Sequence, residues 1–291
     1  MPYTDSVADK KYRILYNNFS SQFQNAIIYG RIKNNLRSSV IACMPKSGST
    51  WLTSLFSNLP LYKSVDMVPV FGAREQELES YSIDLAFQAN PTEHLISQNH
   101  VKYNKHTRKM LGMYCMRPIV LTRSIKDNLV SLVDHWRLFG PIPNFNLYIQ
   151  PHYFSADVST SLHSSASPLE YAVRLHTPWI LNFYLSWANF ESSPFSSLPP
   201  VLHPIFVSYE SLQQDTFNTF RSILTKLGMS YSDEQVARAI EKASTSRTRK
   251  NKGIIGRGED LFDKDSSAHQ ALKDILKLYS HEDLSPLGIP N

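Results

Sequence analysis

The 291-residue chain is poor in the features that would place it outside ordinary globular enzymes. It has two cysteines, too few for a disulfide framework, and Cys43 and Cys115 lack the neighbouring ligands at the spacing a zinc site needs. That usage reads as a reducing compartment. No apolar run approaches the ~18 residues of a membrane span, and the first residues, MPYTDSVADKKYRILYNN, hold no apolar signal core. The expectation is a cytoplasmic chain, neither secreted nor anchored. Internal repeats and low-complexity tracts are also missing, which excludes solenoids and most disordered tails. What is present is 42% hydrophobic and 12% aromatic residues, with 30 Lys+Arg against 25 Asp+Glu for a net charge of +5. This suffices for a full core, and a small positive surplus suggests an anionic partner only if it is concentrated.

Four short apolar runs read as buried strands: Ser39–Met44, His94–Gln98, Pro118–Thr122 and Pro204–Ser208, each without the alternation of a half-exposed strand. Between them lie helical periods. Thr50–Leu59 follows the first strand. Ile125–Phe139 follows the third, with Ile125, Leu129, Leu132, Val133 and Trp136 on one face and Ser124 and Asp127 spaced as a reciprocal cap. Later come Leu169–Phe190, broken near Pro178, then Phe217–Leu227, Asp233–Ser244 behind a Ser232/Gln235 capping box, and Ala268–Tyr279. This alternation predicts an α/β fold with a central parallel sheet flanked by helices, in which ligands sit beyond the carboxyl ends of the strands. The residues after each strand are therefore the ones to read for chemistry.

After the first strand comes Cys43-Met44-Pro45-Lys46-Ser47-Gly48-Ser49-Thr50-Trp51. A glycine that lets backbone approach an oxyanion, free N–H groups on the first helical turn, two hydroxyls and a lysine make an anion site. The bland reading is a capped turn with an exposed lysine. The triphosphate loop G-x-x-x-x-G-K-S/T is not met, because Lys46 precedes Gly48 and no glycine opens the loop. The seven residues Pro45 to Trp51 resemble the 5′-phosphosulfate loop of sulfotransferases that use 3′-phosphoadenosine 5′-phosphosulfate (PAPS).

The resemblance implies a P-loop-like sulfotransferase fold and a second phosphate pocket. Arg123 ends the third strand, and Arg123, Asp127 and Ser131 fall in register with the family's 3′-phosphate segment, R-x-P-x-D-x-x-x-S, with Ile125 in place of proline. On spacing alone, Arg123 could simply pair with Asp127 while Ser131 faces solvent. Phe206-Val207-Ser208-Tyr209-Glu210 resembles the strand-Tyr-Glu segment whose tyrosine faces the adenine, with Trp51 stacking on the base's other side. Arg249 to Gly256 resembles the R-K-G-x-x-G loop that closes over the 3′-phosphate. The implied donor contacts are thus Lys46, Ser47, Gly48, Ser49, Thr50, Trp51, Arg123, Ser131, Tyr209, Asn251, Lys252 and Gly253. Asn251 stands where arginine is usual, and Arg249, Lys250 or Arg257 could replace the lost charge.

Sulfuryl transfer, by analogy with phosphoryl transfer, depends on positioning and charge stabilisation. The resemblance implies in-line displacement from PAPS to a hydroxyl or amine, leaving adenosine 3′,5′-bisphosphate (PAP), with Lys46 neutralising the departing oxygen. The attacking group must lose a proton, and His100 lies just past the second strand, where the family carries its catalytic histidine. Gln98 and Asn99 replace the usual Lys-Thr before it, Lys102 or another residue could supply the missing charge, and His135 and His152 are the rival bases. No metal is implied.

Residues 140–168, rich in proline, serine and aromatic residues and with Asp157 as their one formal charge, read as an acceptor-site lid. The domain expectation is one sulfotransferase domain over 1–291, with a helical lead-in over 1–37 and a donor-closing loop over 245–262. Expected partners are a small-molecule or carbohydrate acceptor and a second copy in a homodimer, with no nucleic acid and no membrane. The alternatives are a P-loop-type phosphotransferase and a non-catalytic nucleotide or nucleic-acid binding protein. The surplus charge bears on this choice. His94–Lys126 holds seven basic residues and no acid, Ser244–Gly258 holds five and none, and the remainder carries a net −7. Both basic stretches overlap the segments attributed to the donor, which favours one small, multiply charged ligand over an extended polyanion.

Overall fold

The computed structural model describes residues 24–68, 77–139, 167–191, 199–245 and 254–290, without the side chains of 136–139. Five strands, β1 (Ser38–Cys43), β2 (Tyr62–Ser64), β3 (His94–Asn99), β4 (Arg117–Thr122) and β5 (Ile205–Ser208), form one sheet in the order β2-β3-β1-β4-β5. All pairings are parallel. A parallel sheet needs crossover helices on both faces, and the strands read as continuous apolar runs because both faces are buried. In β1 the alternation divides the run between two cores. Val40, Ala42 and Met44 join Leu95 and Val120 on one side, while Ile41 and Cys43 join Ile96, Ile119 and Leu121 on the other.

The helices follow in chain order: α1 (24–33), α2 (Ser49–Ser57), α3 (Ser80–Ala89), α4 (Lys105–Met113), α5 (Ile125–Phe139), α6 (Pro168–Ala188), α7 (Tyr209–Gln214), α8 (Thr216–Lys226), α9 (Asp233–Thr245), α10 (Arg257–Lys264) and α11 (Ser266–Lys277). Helix α2 buries Leu52, Leu55 and Phe56 at helical spacing against the second core. Phe56 is fully buried there, so its truncation to alanine would cost about 3–5 kcal/mol. Helices α5 and α6 cover the opposite face with Leu129, Val130, Val133, Val173 and Leu181.

Several sequence expectations are corrected. Helix α6 is not broken at Pro178 but runs unbroken through it. Proline forfeits one backbone hydrogen bond, and burial of Ile180, Leu181, Phe183 and Trp187 beyond it holds the helix together. The edge strand β5 does alternate, with Ile205 and Val207 inward and Phe206 41% exposed. The reciprocal cap at α5 does not form from Asp127. The Ser124 N–H donates instead to Glu210 Oε1 at 2.9 Å, while Asp127 is used elsewhere. The Ser232/Gln235 box forms as expected, with Ser232 N–H donating to Gln235 Oε1 and Gln235 N–H to Ser232 Oγ. The Trp136 side chain, most of the lid segment (140–166) and residues 246–253 of the closing loop lie outside the described residues. The remainder of 245–262 includes the start of α10.

Burial leaves a pH-dependent strain in α6. His176 is buried, and desolvation first, then the nearby charge of His100, push its pKa down to about 3. His94 is lowered in the same direction by burial and by Arg31 and Arg37. A histidine with a folded pKa below its unfolded one binds more protons when unfolded, so stability is complete above about pH 6.5 and is lost as pH falls. Urea unfolding should therefore show a loss of about 2 kcal/mol between pH 7 and pH 5 from His176 alone. His176→Leu should flatten that slope; an unchanged slope in the variant would contradict the assignment.

Candidate active site

Because all five strands run the same way, the segments leaving β1, β3, β4 and β5 emerge on one edge of the sheet. Ala42 pairs with Asn99, so His100 leaves β3 beside the start of the β1 loop. Thr122 pairs with Ser208, so Arg123 and Tyr209 leave as neighbours. The topology thus assembles Lys46, His100, Arg123 and Tyr209 along a single crevice edge.

The loop is tightly turned. Lys46 and Gly48 both have positive φ, at 65° and 86°, a region that costs a non-glycine residue about 1 kcal/mol or more. Two side chains from the next strand and helix hold that turn: Arg123 Nη1 donates to the Lys46 carbonyl at 2.8 Å and Asn128 Nδ2 to the Pro45 carbonyl at 2.7 Å. Ser47, buried, closes the turn by donating from its N–H and Oγ to the Met44 carbonyl. Gly48 is the N-cap of α2 and offers no side-chain cap, so this N-terminus keeps donors for an external acceptor. A Cβ on Gly48 would fall 2.4 Å from Tyr209 Cδ2. The glycine is required both by its φ and by the tyrosine ring lying against it.

Arg123 is 7% exposed, and its guanidinium carbon lies 4.5 Å from the Tyr209 ring centroid. Its Nε is buried and has no hydrogen-bond partner among the described residues. Burial lowers its pKa, against the opposing influence of Tyr209, Asp127 and Glu210. Burial likewise pushes the Tyr209 phenol up, with Arg123 working the other way. The expected alternative, an Arg123–Asp127 pair, is not how Asp127 is used: its carboxylate accepts the N–H groups of Gly256 and Gly258 at 2.8 and 2.6 Å. Ser131 is buried two turns into α5. A desolvated guanidinium with a spare donor, a buried hydroxyl and an uncapped helix start form a cradle that fits a phosphorylated ligand.

The Trp51 and Tyr209 rings are 6.4 Å apart at an interplanar angle of 71°. Such nearly perpendicular rings do not form the expected pair of parallel walls, so a planar base can lie face-on to only one of them. On the other side of the loop, His100 is 9% exposed and meets Trp179 edge-on at 6.2 Å. Lys102 Nζ stands 5.3 Å above the same Trp179 ring. Gln98, in place of the family's lysine, donates to Ser49 Oγ at 2.5 Å and accepts from Thr53 Oγ1 at 3.4 Å. It thereby ties β3 to the first turn of α2. Asn251, Lys252 and Gly253, with the alternatives Arg249 and Lys250 and the rival base His152, lie outside the described residues, and His135 is on α5. Sequence reasoning missed Asn128, Gln98 as a loop support, and Glu210 as the acceptor for Ser124. Among the described residues no group of three or more His, Cys, Asp or Glu could hold a metal ion, and no helix is long and apolar enough to cross a membrane.

A family profile described as a sulfotransferase domain matches residues 36–254. No curated protein sequence matches the chain significantly. Among solved structures, a mouse sulfotransferase complexed with PAP is similar, with a TM-score of 0.56 and 15% identity over 83% of this chain and 85% of that one. A sulfotransferase from Alicyclobacillus acidocaldarius has a TM-score of 0.44 and 12% identity, over 87% and 99% of the two chains.

The Gly48–Tyr209 contact yields a direct test. Gly48→Ala should lower thermal stability by about 1–3 kcal/mol through its φ and the ring clash. Adding Tyr209→Leu should recover part of the loss. A double variant that simply sums two losses would show that the ring does not press on Gly48.

Proposed function

The chain belongs to the sulfotransferase family, and from that premise we propose that it uses PAPS to sulfate a hydroxyl or amine of a small molecule or glycan, working as one domain in a reducing, cytoplasmic compartment. The observation that carries the choice of donor is Arg123, a buried cation whose Nε has no partner among the described residues, beside a helix start without a side-chain cap. When bound, PAPS supplies the sulfuryl group and PAP is the product; the mouse relative was solved with PAP. Lys46, Ser47, Gly48, Ser49 and Thr50 would hold the 5′ side, with Trp51 and Tyr209 at the base. Arg123 and Ser131 would hold the 3′-phosphate together with Asn251, Lys252 and Gly253.

Lys46 sits on the turn that Arg123 and Asn128 brace, so its ammonium can neutralise oxygen charge without the loop shifting. Preorganised charge of this kind supplies much of a transfer enzyme's rate. His100 accepts the acceptor's proton at a ring nitrogen. Trp179 fixes its ring from the edge and, half-buried itself, offers an aromatic surface that favours an apolar or phenolic acceptor. The free cysteines, one buried and one exposed, suit a reducing compartment.

The test is transfer of labelled sulfate from PAPS to a panel of phenols, alcohols, amines and sugars. Turnover is expected with at least one acceptor, and Lys46→Ala and His100→Ala should each reduce kcat/KM by roughly a hundredfold or more. No turnover together with no binding of PAP would overturn the reading.

A further inference from the structure

The seven basic residues of His94–Lys126 are separated by the fold. Arg123 and Lys126 leave β4 on the donor side, and Lys126 is paired with Glu259. Arg117 opens β4 at the opposite edge of the sheet, where its guanidinium donates to the carbonyls of His203 and Lys226. The others, Lys102, Lys105, Arg108 and Lys109, follow β3. In the order β2-β3-β1-β4-β5, β3 lies across β1 from Arg123, so this second group stands on the side of His100 and Trp179.

Helix α4 carries Lys105, Arg108 and Lys109. Strands β3 and β4 both pair in parallel with β1, so α4, which connects them, starts at the carboxyl edge where His100 emerges and runs back along the sheet. Thr107, Met110 and Leu111 are its buried residues, the last two in the core it shares with α6. Lys105, Arg108 and Lys109, at i, i+3 and i+4, fall together on one face, with Lys105 and Lys109 exposed and Arg108 half-buried. Asn104 caps the helix by accepting the Thr107 N–H at 2.8 Å, and the first turn holds no acid. Cations there oppose the positive end of the helix dipole, so helix stability does not account for them. Nor does pairing: among the described residues Lys105, Arg108 and Lys109 form no ion pair. The nearest chain acid is engaged otherwise, since Glu77 accepts from Asn104 Nδ2 at 2.7 Å. Arg108 Nε is also buried with no hydrogen-bond partner among the described residues.

Lys102 joins this face to the base. Its Nζ is 5.3 Å from the centroid of Trp179, the ring that meets His100 in a T-shaped contact. A strip of positive charge therefore starts beside His100 and continues along the first turn of α4, about 6 Å from Lys105 to Lys109. We propose that the acceptor carries a fixed anionic group, a carboxylate or a sulfate ester, held by Lys102, Lys105, Arg108 and Lys109 while its reacting end lies at Trp179 and His100. This rests on the PAPS reading above and narrows its acceptor. The rival role is general attraction of the anionic donor, without a contact to the acceptor.

The roles separate in calorimetric titrations of PAP-saturated protein, in which the donor's own anion sites are filled. The probes are 4-hydroxyphenylacetate against 4-hydroxyphenylacetamide, and N-acetylglucosamine 6-sulfate against N-acetylglucosamine. The charged member should bind about tenfold more tightly in at least one pair, and which pair responds tells a phenolic acid from a sulfated sugar. Raising salt from about 0.02 to 0.5 M should shrink that preference, and the double variant Lys105→Gln/Lys109→Gln should reduce it at least threefold, with PAP affinity within about twofold of the wild type. No advantage for the charged member in either pair would overturn the inference. So would a preference that survives in the double variant, or a variant that loses PAP affinity while the preference stays. Should the double variant fail to fold, the salt series on the wild type decides, a salt-independent preference being the adverse result. Wild-type protein that binds no PAP would overturn the donor reading itself, a result distinct from any change in acceptor preference.

Discussion

The site depends on the burial of one cation, Arg123. Removing a guanidinium from water is costly, and here the protein returns only part of what water gave: one carbonyl at Nη1, the face of Tyr209, and carboxylates at a distance. That hydrogen bond goes to Lys46, the residue whose left-handed conformation shapes the loop between β1 and α2. The loop therefore keeps its turn because the arginine needs the carbonyl, and the arginine is oriented because the turn presents it. Its Nε has no hydrogen-bond partner among the described residues. The loop's strain and the arginine's incomplete solvation both point to an anion arriving from outside.

The acids around this cation serve backbone rather than neutralising it by direct pairing. Glu210 accepts the N–H of Ser124 at the start of α5. This leaves Asp127 free to accept two N–H groups from the start of α10. Carboxylates engaged with backbone donors do not cap the guanidinium. Field and fastening are thus combined in the same two residues. Asp127 thus fixes the start of α10 against α5, beside Arg123 and Ser131.

The sequence made the centre of this architecture legible and its supports much less so. β1, β3 and β4 were visible because strands buried on both faces are unbroken apolar runs, and the β1 loop because a glycine, hydroxyls and a lysine at a helix start suit an anion turn. β2 was not visible: Tyr62-Lys63-Ser64 is three residues long with two of them exposed, too short for any period to show. Asn128 and Gln98 act on partners 83 and 49 residues away, and a long-range hydrogen bond leaves no local pattern. The α5 cap failed for a related reason. A local pairing of Ser124 with Asp127 was plausible, but tertiary partners on α7 and α10 competed for both.

At the end of β3, Gln98 sets part of what surrounds His100. The amide is engaged with Ser49 and Thr53 and brings no charge. Lys102 lies across the Trp179 ring, on a π-face that attracts it, and the same ring meets His100 in a T-shaped contact. Behind them, His176 is kept neutral by burial. Coupling between two titrating groups is reciprocal, so a charged His176 would oppose protonation of His100. A neutral one does not. The low pKa of His176 therefore costs stability in acid and, in return, keeps a second cation from standing behind His100.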